Sequence, residues 1–248
     1  MSKVNLEAHD DVAVLQLNNG VTNAISPELV DDLAKAVNRI KIEFNGMVLT
    51  GGDKFFCIGL DLPALLQLDQ SDMVEFYARF ERAIFDLYTL PVPTACAING
   101  HATAGGAIFA MSCDFRFVSS GRRLIGLNEV KIGVPVPYLA DLMLRQIVGD
   151  RCATDMMFSG KFVEPEEAKK IGLVDDVFKP EDLEEKAIAK IAELAALPPY
   201  GIRVVKQNRI KAAKSRYEEM GGTDAGRFLD CWFDPAVQEL LSEAAKNF

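Results

Sequence analysis

The sequence predicts an α/β fold followed by a helical C-terminal part. Short apolar runs of strand length alternate with segments of helical spacing along the first part of the chain. After about residue 138 the pattern shifts to helix. With 248 residues, 49% of them hydrophobic, the chain can bury a sizeable core. We place the α/β core, with any active site, at 1–185 and the helical part at 186–248.

The first predicted elements are a hairpin and a helix. Apolar residues alternate or run together on both sides of 9–11, which is typical of two antiparallel strands joined by a turn. Ser26 and Pro27 then supply an N-cap and a first-turn proline, and apolar residues follow at helical spacing as far as Asn45. A short buried strand is predicted at 47–50.

Further alternation of helix and strand follows. The spacing predicts a polar helix over 71–88, a proline-containing break and a strand over 94–98. An apolar helix ending near Ser112 then precedes a strand at 114–118. These repeated cycles are the basis of the α/β prediction.

The remainder of the chain is predicted to be mainly helical. One helix is closed by Gly149, and a short helix begins at Pro165. From Pro180 onwards the pattern predicts three helices, interrupted at 198–199 and 221–222.

The composition excludes several function classes. A net charge of −9 argues against binding a nucleic-acid backbone. The five cysteines show no CxxC spacing, which indicates buried thiols in a reducing compartment, and two histidines leave almost no room for a zinc site. No run of 18 apolar residues occurs, so we expect a cytoplasmic protein with no membrane partner and no metal.

Three segments bring bare backbone amides or a carboxylate to the edges of loops. They are 55–62, 99–106 and 125–137. Glycine lets a ligand approach the backbone closely, and the free N–H groups of a first helical turn carry positive partial charge. Two such amides converging on one oxygen would form an oxyanion hole.

Each of these features also has a plain structural interpretation. Gly105-Gly106 could be only a tight turn, and Asp61 could only cap a helix that begins at the next residue. His101 and Asp114 are more typical of structural hydrogen bonding. Spacing alone favours an exposed loop position for Glu129.

A resemblance changes that balance. Four groups of motifs occur in a familiar order: Leu17-Asn18…Asn23-Ala24-Ile25-Ser26, Phe56-Cys57-Ile58-Gly59-Leu60-Asp61-Leu62, Ala97-Ile98-Asn99-Gly100…Ala104-Gly105-Gly106…Cys113-Asp114, and Val163-Glu164-Pro165-Glu166-Glu167-Ala168…Gly172-Leu173-Val174-Asp175. Together they resemble the enoyl-CoA hydratase/isomerase (crotonase) family over nearly the whole chain. The resemblance implies a spiral of ββα units, an acyl-CoA thioester substrate, no cofactor apart from the CoA of the substrate, and a homotrimer or homohexamer assembled through 186–248.

The resemblance also implies the residues of the site. The amides of Ile58 and Gly105 would hold the thioester oxygen, and Glu129 would be the base. The implied substrate-binding residues are Ala24, Gly59, Leu60, Asp61, Leu62, Gly106, Ile108 and Asn128.

The residue at position 108 favours one reaction of the family over another. The family's hydratases use two glutamates around one water, and Ile108 stands where the first would be. A single base is enough to move the double bond of a 3-enoyl thioester, and an apolar site would raise the pKa of Glu129 towards the operating pH. The amino-acid sequence of 125–133 likewise resembles that of the mitochondrial-type Δ3,Δ2-enoyl-CoA isomerases.

Alternatives stay open at this point. The chain could be an enoyl-CoA hydratase, another crotonase-type acyl-CoA enzyme, or a non-catalytic acyl-CoA-binding or assembly subunit. The aromatic residues of 228–233 could be core or interface. Lys54 is a candidate for the CoA phosphates, whereas Lys206, Arg209 and Lys211 are predicted to be a solvated face.

Overall fold

A six-stranded sheet forms the centre of the protein, for which we describe residues 2–220 and 223–246 of a computed structural model. Its strands, in the order in which they lie side by side, are β1 (Val4–His9), β2 (Val12–Leu17), β3 (Gly46–Thr50), β5 (Thr94–Ile98), β7 (Phe115–Ser119) and β9 (Asp176–Phe178). The predicted hairpin is confirmed, because β1 and β2 pair antiparallel around Asp10. The other neighbouring strands pair in parallel.

A second, three-stranded parallel sheet lies at the ends of three of these strands. It consists of β4 (Phe55–Cys57), β6 (His101–Thr103) and β8 (Ile125–Gly126), each of which follows a strand of the large sheet along the chain. Helices complete each turn, so the chain climbs as a spiral of ββα units. Because the small strands are parallel, their carboxyl ends meet at one edge, and there the three segments singled out in the sequence come together.

The helices of the α/β part agree with the sequence pattern except for α6, which was not predicted. They are α1 (Pro27–Glu43), α2 (Leu62–Leu65), α3 (Gln70–Tyr88), α4 (Gly105–Met111), α5 (Tyr138–Val148), α6 (Asp150–Ser159) and α7 (Pro165–Lys170). Ser26 caps α1 as expected, accepting a hydrogen bond from the Leu29 amide at 3.3 Å. The predicted Asp61 cap of α2 is also present, with the Ala64 amide as donor at 3.2 Å.

The described C-terminal residues form four helices, one more than the sequence predicted. They are α8 (Leu183–Ala195), α9 (Pro199–Met220), α10 (Thr223–Trp232) and α11 (Pro235–Ala245). The missed boundary lies at Asp234, which caps α11 through the amides of Ala236 and Val237 and is followed by a first-turn proline. The predicted interruption at 221–222 lies outside the described residues.

Helix α8 covers one face of the large sheet. Its buried side chains Leu183, Ala187 and Ile191 pack with the apolar side chains of β2, β3, β5 and β7. The predicted boundary at residue 185 therefore falls inside a helix that packs on the sheet. That 186–248 assembles a trimer stays a prediction.

One prediction about the surface was wrong. The ammonium of Lys206, on α9, is buried against the core, where it donates to Asp114 at 2.7 Å and to the Val92 carbonyl at 2.8 Å. Arg209 is half-buried against the same carboxylate, and only Lys211 is exposed as expected. No local feature of the α9 sequence indicates this ion pair, because its two residues lie 92 positions apart in the chain.

Two further expectations concern the burial of the cysteine thiols and the presence of membrane-spanning helices. Cys57, Cys96 and Cys113 are buried free thiols, as predicted, whereas Cys152 and Cys231 are partly exposed. Within the described residues, no helix has both the length and the apolar character needed to cross a bilayer.

Candidate active site

A mainly apolar cavity of about 210 Å³ opens at the shared edge of the small sheet. Seven of the residues singled out in the sequence line it: Ile58, Leu60, Leu62, Gly105, Ile108, Asn128 and Glu129. The fold brings them together because β4, β6 and β8 all end at this edge. The cavity therefore combines free backbone groups with one carboxyl side chain.

Glu129 occupies a position very different from an exposed loop. It begins a 3₁₀ helix over Glu129–Ile132 that follows β8 and ends at Gly133, and the residue is 6% exposed. Burial raises the pKa of its carboxyl group to about 7, although a hydrogen bond with its own backbone lowers it somewhat. The atom Oε2 is buried without a hydrogen-bond partner in the described part of the protein. Such a group is poised to exchange a proton with a bound molecule.

Asn128 adds a second acceptor beside this carboxyl group. Its Oδ1 atom is buried and has no partner among the described residues, and the side chain lines the same cavity. Buried acceptors without partners are uncommon in folded proteins. Their occurrence in two consecutive residues marks this wall of the cavity as a place where a ligand completes the hydrogen bonding.

The structure argues against Ile58 as an oxyanion donor. Its N–H already donates to the Thr22 carbonyl at 3.2 Å. Two residues further on, Leu60 forms a parallel bridge with Ile25, in which the flanking Gly59 carbonyl and Asp61 amide make the hydrogen bonds. The Leu60 N–H therefore points away from Ile25, and it donates to no acceptor in the described residues.

Gly105 keeps a free amide, as the sequence predicted. It is the first residue of α4, and its N–H has no acceptor in the part of the chain that the structure describes. Ala104 before it has φ +49° and ψ −124°, a strained backbone conformation of the kind found at functional sites. A Cβ placed on Gly59 would lie 3.1 Å from the Gly105 nitrogen, so the two loops are in close contact.

Four residues predicted to bind substrate do not line the cavity. Ala24 is buried, Gly59 makes the close contact with the second loop, and Asp61 caps α2. Gly106 packs directly against the Cys57 carbonyl, where no side chain would fit. In this structure the contacts of these four residues are therefore within the protein rather than with the cavity.

His101 and Lys54 lie at the opposite end of the small sheet. His101 accepts a hydrogen bond from the Leu124 amide at 2.9 Å through Nδ1, which confirms its structural role. The Lys54 ammonium lies over the Phe55 ring, 5.1 Å from its centroid, at the amino end of β4. The cavity adjoins the carboxyl end of that strand, so the structure gives no support to Lys54 as part of this site.

Part of the cavity lining comes from residues that no sequence motif indicated. Phe80 of α3, Phe228 and Trp232 of α10, and Ala244 of α11 line the cavity. Phe228 and Trp232 are 2% and 1% exposed, which settles their assignment to the core. The aromatic residues of 228–233 were a visible signal, but nothing local indicated which surface they would face.

Comparison with known proteins establishes the family. The enoyl-CoA hydratase/isomerase family model matches residues 7–233. The chain belongs to this family. The family and the fold that were predicted from the sequence are therefore confirmed.

Individual relatives include both hydratases and isomerases. A Thermus thermophilus protein named "Putative enoyl-CoA hydratase" is 36% identical over 202 residues, which are 79% of each chain. Human enoyl-CoA delta isomerase 1, mitochondrial, is 28% identical over 95% of this chain and 79% of its own. The crystal structure of human mitochondrial delta3-delta2-enoyl-CoA isomerase superposes with a TM-score of 0.94 at 27% identity, covering 99% of this chain and 97% of the other.

Proposed function

We propose that the protein converts 3-enoyl-CoA thioesters into trans-2-enoyl-CoA, with Glu129 as its single base. The observation that carries this proposal is the position of Glu129 in the cavity. Among the described residues it is the one carboxyl group lining the cavity, and Ile108 stands where a hydratase needs a second. The human isomerases among its relatives support the same assignment.

The reaction needs one proton to leave C2 and one to arrive at C4. The Glu129 carboxylate takes the C2 proton, which is acidified by the thioester carbonyl and the neighbouring alkene. The electron pair of the C2–H bond forms a C1=C2 double bond and the carbonyl electrons move onto the thioester oxygen, giving a dienolate that the C3=C4 alkene stabilises by conjugation. The resulting carboxylic acid then delivers its proton to C4, which restores the carboxylate and leaves the conjugated thioester.

Two backbone amides would stabilise the dienolate. We assign them to Gly105 and Leu60, whose N–H groups lack acceptors among the described residues, in place of the predicted pair with Ile58. In an apolar cavity, each preorganised donor of this kind is worth roughly 3 kcal/mol to the transition state. Burial of Ile108 and its neighbours would keep water away from the intermediate.

Hydration of a 2-enoyl thioester is the second candidate, favoured by the Thermus relative. It requires activation of a water molecule as well as protonation of carbon. Ile108 offers neither a base nor an acid, and its side chain is 1% exposed. Isomerisation is therefore the better match to the side chains of the cavity.

A direct test compares the two reactions. The protein is incubated with 3-hexenoyl-CoA, and formation of the conjugated thioester is followed by its ultraviolet absorbance. A parallel incubation with crotonyl-CoA measures loss of that absorbance through hydration. Isomerisation should dominate, and hydration that outpaces it would overturn the proposal. The absence of both reactions would favour a non-catalytic acyl-CoA-binding or assembly role.

Isotopic labelling tests whether one base does both steps. With 3-hexenoyl-CoA deuterated at C2, a single carboxyl group should carry part of the label to C4 within one turnover. Mass spectrometry of the product locates the deuterium. One deuterium stays at C2 in either case, and complete loss of the other one to solvent in a single turnover would contradict a proton shuttle through Glu129 alone.

The remaining expectations belong to the same proposal. The protein would use no cofactor apart from the CoA of its substrate, act in the cytoplasm, and assemble as a homotrimer or homohexamer. Size determination in solution tests the assembly.

A further inference from the structure

The cavity has an aromatic wall formed by Phe80, Phe228 and Trp232. Phe80 is the member next to the reacting end, since a Cβ placed on Gly105 would lie 3.6 Å from its Cζ atom. From Phe80 the rings continue through Tyr77, at 6.1 Å between centroids, to Phe228, at 4.0 Å, and then to Trp232, at 5.9 Å. Phe228 and Trp232 therefore continue the aromatic wall that Phe80 begins beside Gly105.

The far part of this wall is firmly held. Asp224, at the start of α10, accepts a hydrogen bond from the Tyr138 amide at 2.7 Å. Gln238 of α11 donates to the Trp232 carbonyl at 2.6 Å. The Phe228 ring stacks on Tyr77 at an interplanar angle of 13°. Close-packed side chains with these restraints do not yield readily to a longer ligand.

The volume in front of the wall is small. An apolar cavity of about 150 Å³ holds a benzene molecule of six carbons. By proportion, the 210 Å³ of this cavity accommodates about eight carbons. The reacting carbons of the thioester take up part of this space, so the estimate applies to the whole acyl chain.

We propose that Phe228, Trp232 and Ala244 set an upper limit on the length of the acyl chain, at about eight carbons. The inference rests on the proposed acyl-CoA function and narrows its substrate class to short and medium chains. It assigns a specificity role to α10 and α11, which lie far along the chain from the residues that carry the chemistry.

The test measures binding, which does not depend on turnover. Equilibrium dissociation constants are determined for saturated acyl-CoAs from butanoyl to hexadecanoyl. Each methylene buried in the cavity should raise the affinity about fourfold, and the gain should cease near octanoyl-CoA. An affinity that continues to rise by this factor as far as hexadecanoyl-CoA would overturn the proposal.

Two variants should move the limit in opposite directions. Phe228→Leu should increase the maximum length of the acyl chain, and Ala244→Leu should decrease it. Each change should be about two to three carbons, because this is the difference in size between the exchanged side chains. The matched controls are Phe109→Leu, which is equally buried and touches Phe80 without lining the cavity, and Ala245→Leu, the neighbour on α11. Far-UV circular dichroism confirms that each variant is folded.

The outcomes separate this inference from the proposed function. If the controls move the limit as much as the wall variants do, the assignment to Phe228 and Ala244 is wrong. A limit near octanoyl-CoA that shifts as expected, without isomerisation of 3-hexenoyl-CoA, would support the wall and refute the isomerase. Failure to bind any acyl-CoA would refute both.

Discussion

Glu129 and Asp114 both have carboxyl groups largely withdrawn from water, yet their surroundings act on them in opposite ways. Glu129 has an oxygen without a partner in the described residues, and burial raises its pKa to about 7. Burial also acts to raise the pKa of Asp114, but the cations of Lys206 and Arg209 and the Thr94 hydroxyl outweigh it and lower the pKa. Its side chain is 12% exposed and accepts four hydrogen bonds, from the three described residues Thr94, Lys206 and Arg209.

The comparison shows that partners, rather than burial, distinguish the two roles. A buried carboxylate that is saturated with donors is held in its ionised form and has no free oxygen left to take up a proton. A buried carboxyl group that faces an apolar cavity with one oxygen unpartnered destabilises the folded protein when it is ionised. Such a carboxylate can, however, take up a proton. Substitutions and changes of pH can test this contrast.

Glu129→Gln should lower kcat for 3-hexenoyl-CoA by about 10³-fold, within the range for loss of a general base. Glutamine has nearly the same shape but cannot accept the C2 proton. The conjugated-thioester absorbance measures the rate, and binding of hexanoyl-CoA serves as the control, expected to be unchanged. Activity within tenfold of the unsubstituted protein would mean that another residue is the base.

Asp114→Asn should lower the free energy of unfolding by about 3 kcal/mol or more, because it leaves the buried Lys206 ammonium without its counter-ion. Urea denaturation measures the change. The rate per folded molecule should remain close to that of the unsubstituted protein, since Asp114 does not line the cavity. A large fall in kcat with unchanged stability would reverse the roles assigned to the two carboxyl groups.

The pH dependence of stability should distinguish Glu129 from its glutamine variant. Because the folded pKa of about 7 lies above the ordinary value of 4.5, the fold favours the protonated form. Stability from this group is complete below pH 4.5 and is lost as the pH rises through 7, by up to about 3 kcal/mol. Unfolding at pH 5 and pH 8 should show Glu129→Gln gaining relative stability at the higher pH. An equal difference at both pH values would contradict the raised pKa.

The same group should govern the pH dependence of catalysis. The ratio kcat/KM should rise about tenfold per pH unit below 7 and level off above it, as the free carboxylate forms. Glu81 provides a matched control, because burial raises its pKa to about 7 as well, yet it does not line the cavity. Glu81→Gln should leave the acidic limb unchanged. If the limb disappears in that variant, the profile reports Glu81 and not the base.

The smallest effect concerns the contact between the two loops that carry the free amides. The Thr103 hydroxyl donates to the Ile58 carbonyl at 3.1 Å. Thr103→Val should lower kcat about fivefold, the equivalent of one ordinary hydrogen bond of about 1 kcal/mol. Thr89→Val removes a comparable bond, to the Phe85 carbonyl, away from the cavity and should have no effect on kcat. Equal effects of the two substitutions would indicate general destabilisation.

The α/β alternation and the three loop segments could be predicted from local sequence patterns, and the sequence also shows that Glu129 occurs together with an isoleucine at position 108. These features are local or short-range: strand and helix periodicity, caps such as Ser26, and glycine where the backbone is crowded. Family resemblance then connected the segments to acyl-CoA chemistry. For such features a few neighbouring residues contain most of the physical information.

Which backbone amides are free depends on contacts between distant parts of the chain. Ile58 and Leu60 are two residues apart, and the choice between them depends on the Thr22 carbonyl and on the bridge to Ile25, which lie more than 30 residues away. The burial of Lys206 and the placing of Phe228 and Trp232 across the cavity have the same origin. Hydrogen-bond partners and cavity walls are contributed by distant segments that meet only when the chain has packed, so no local pattern encodes them.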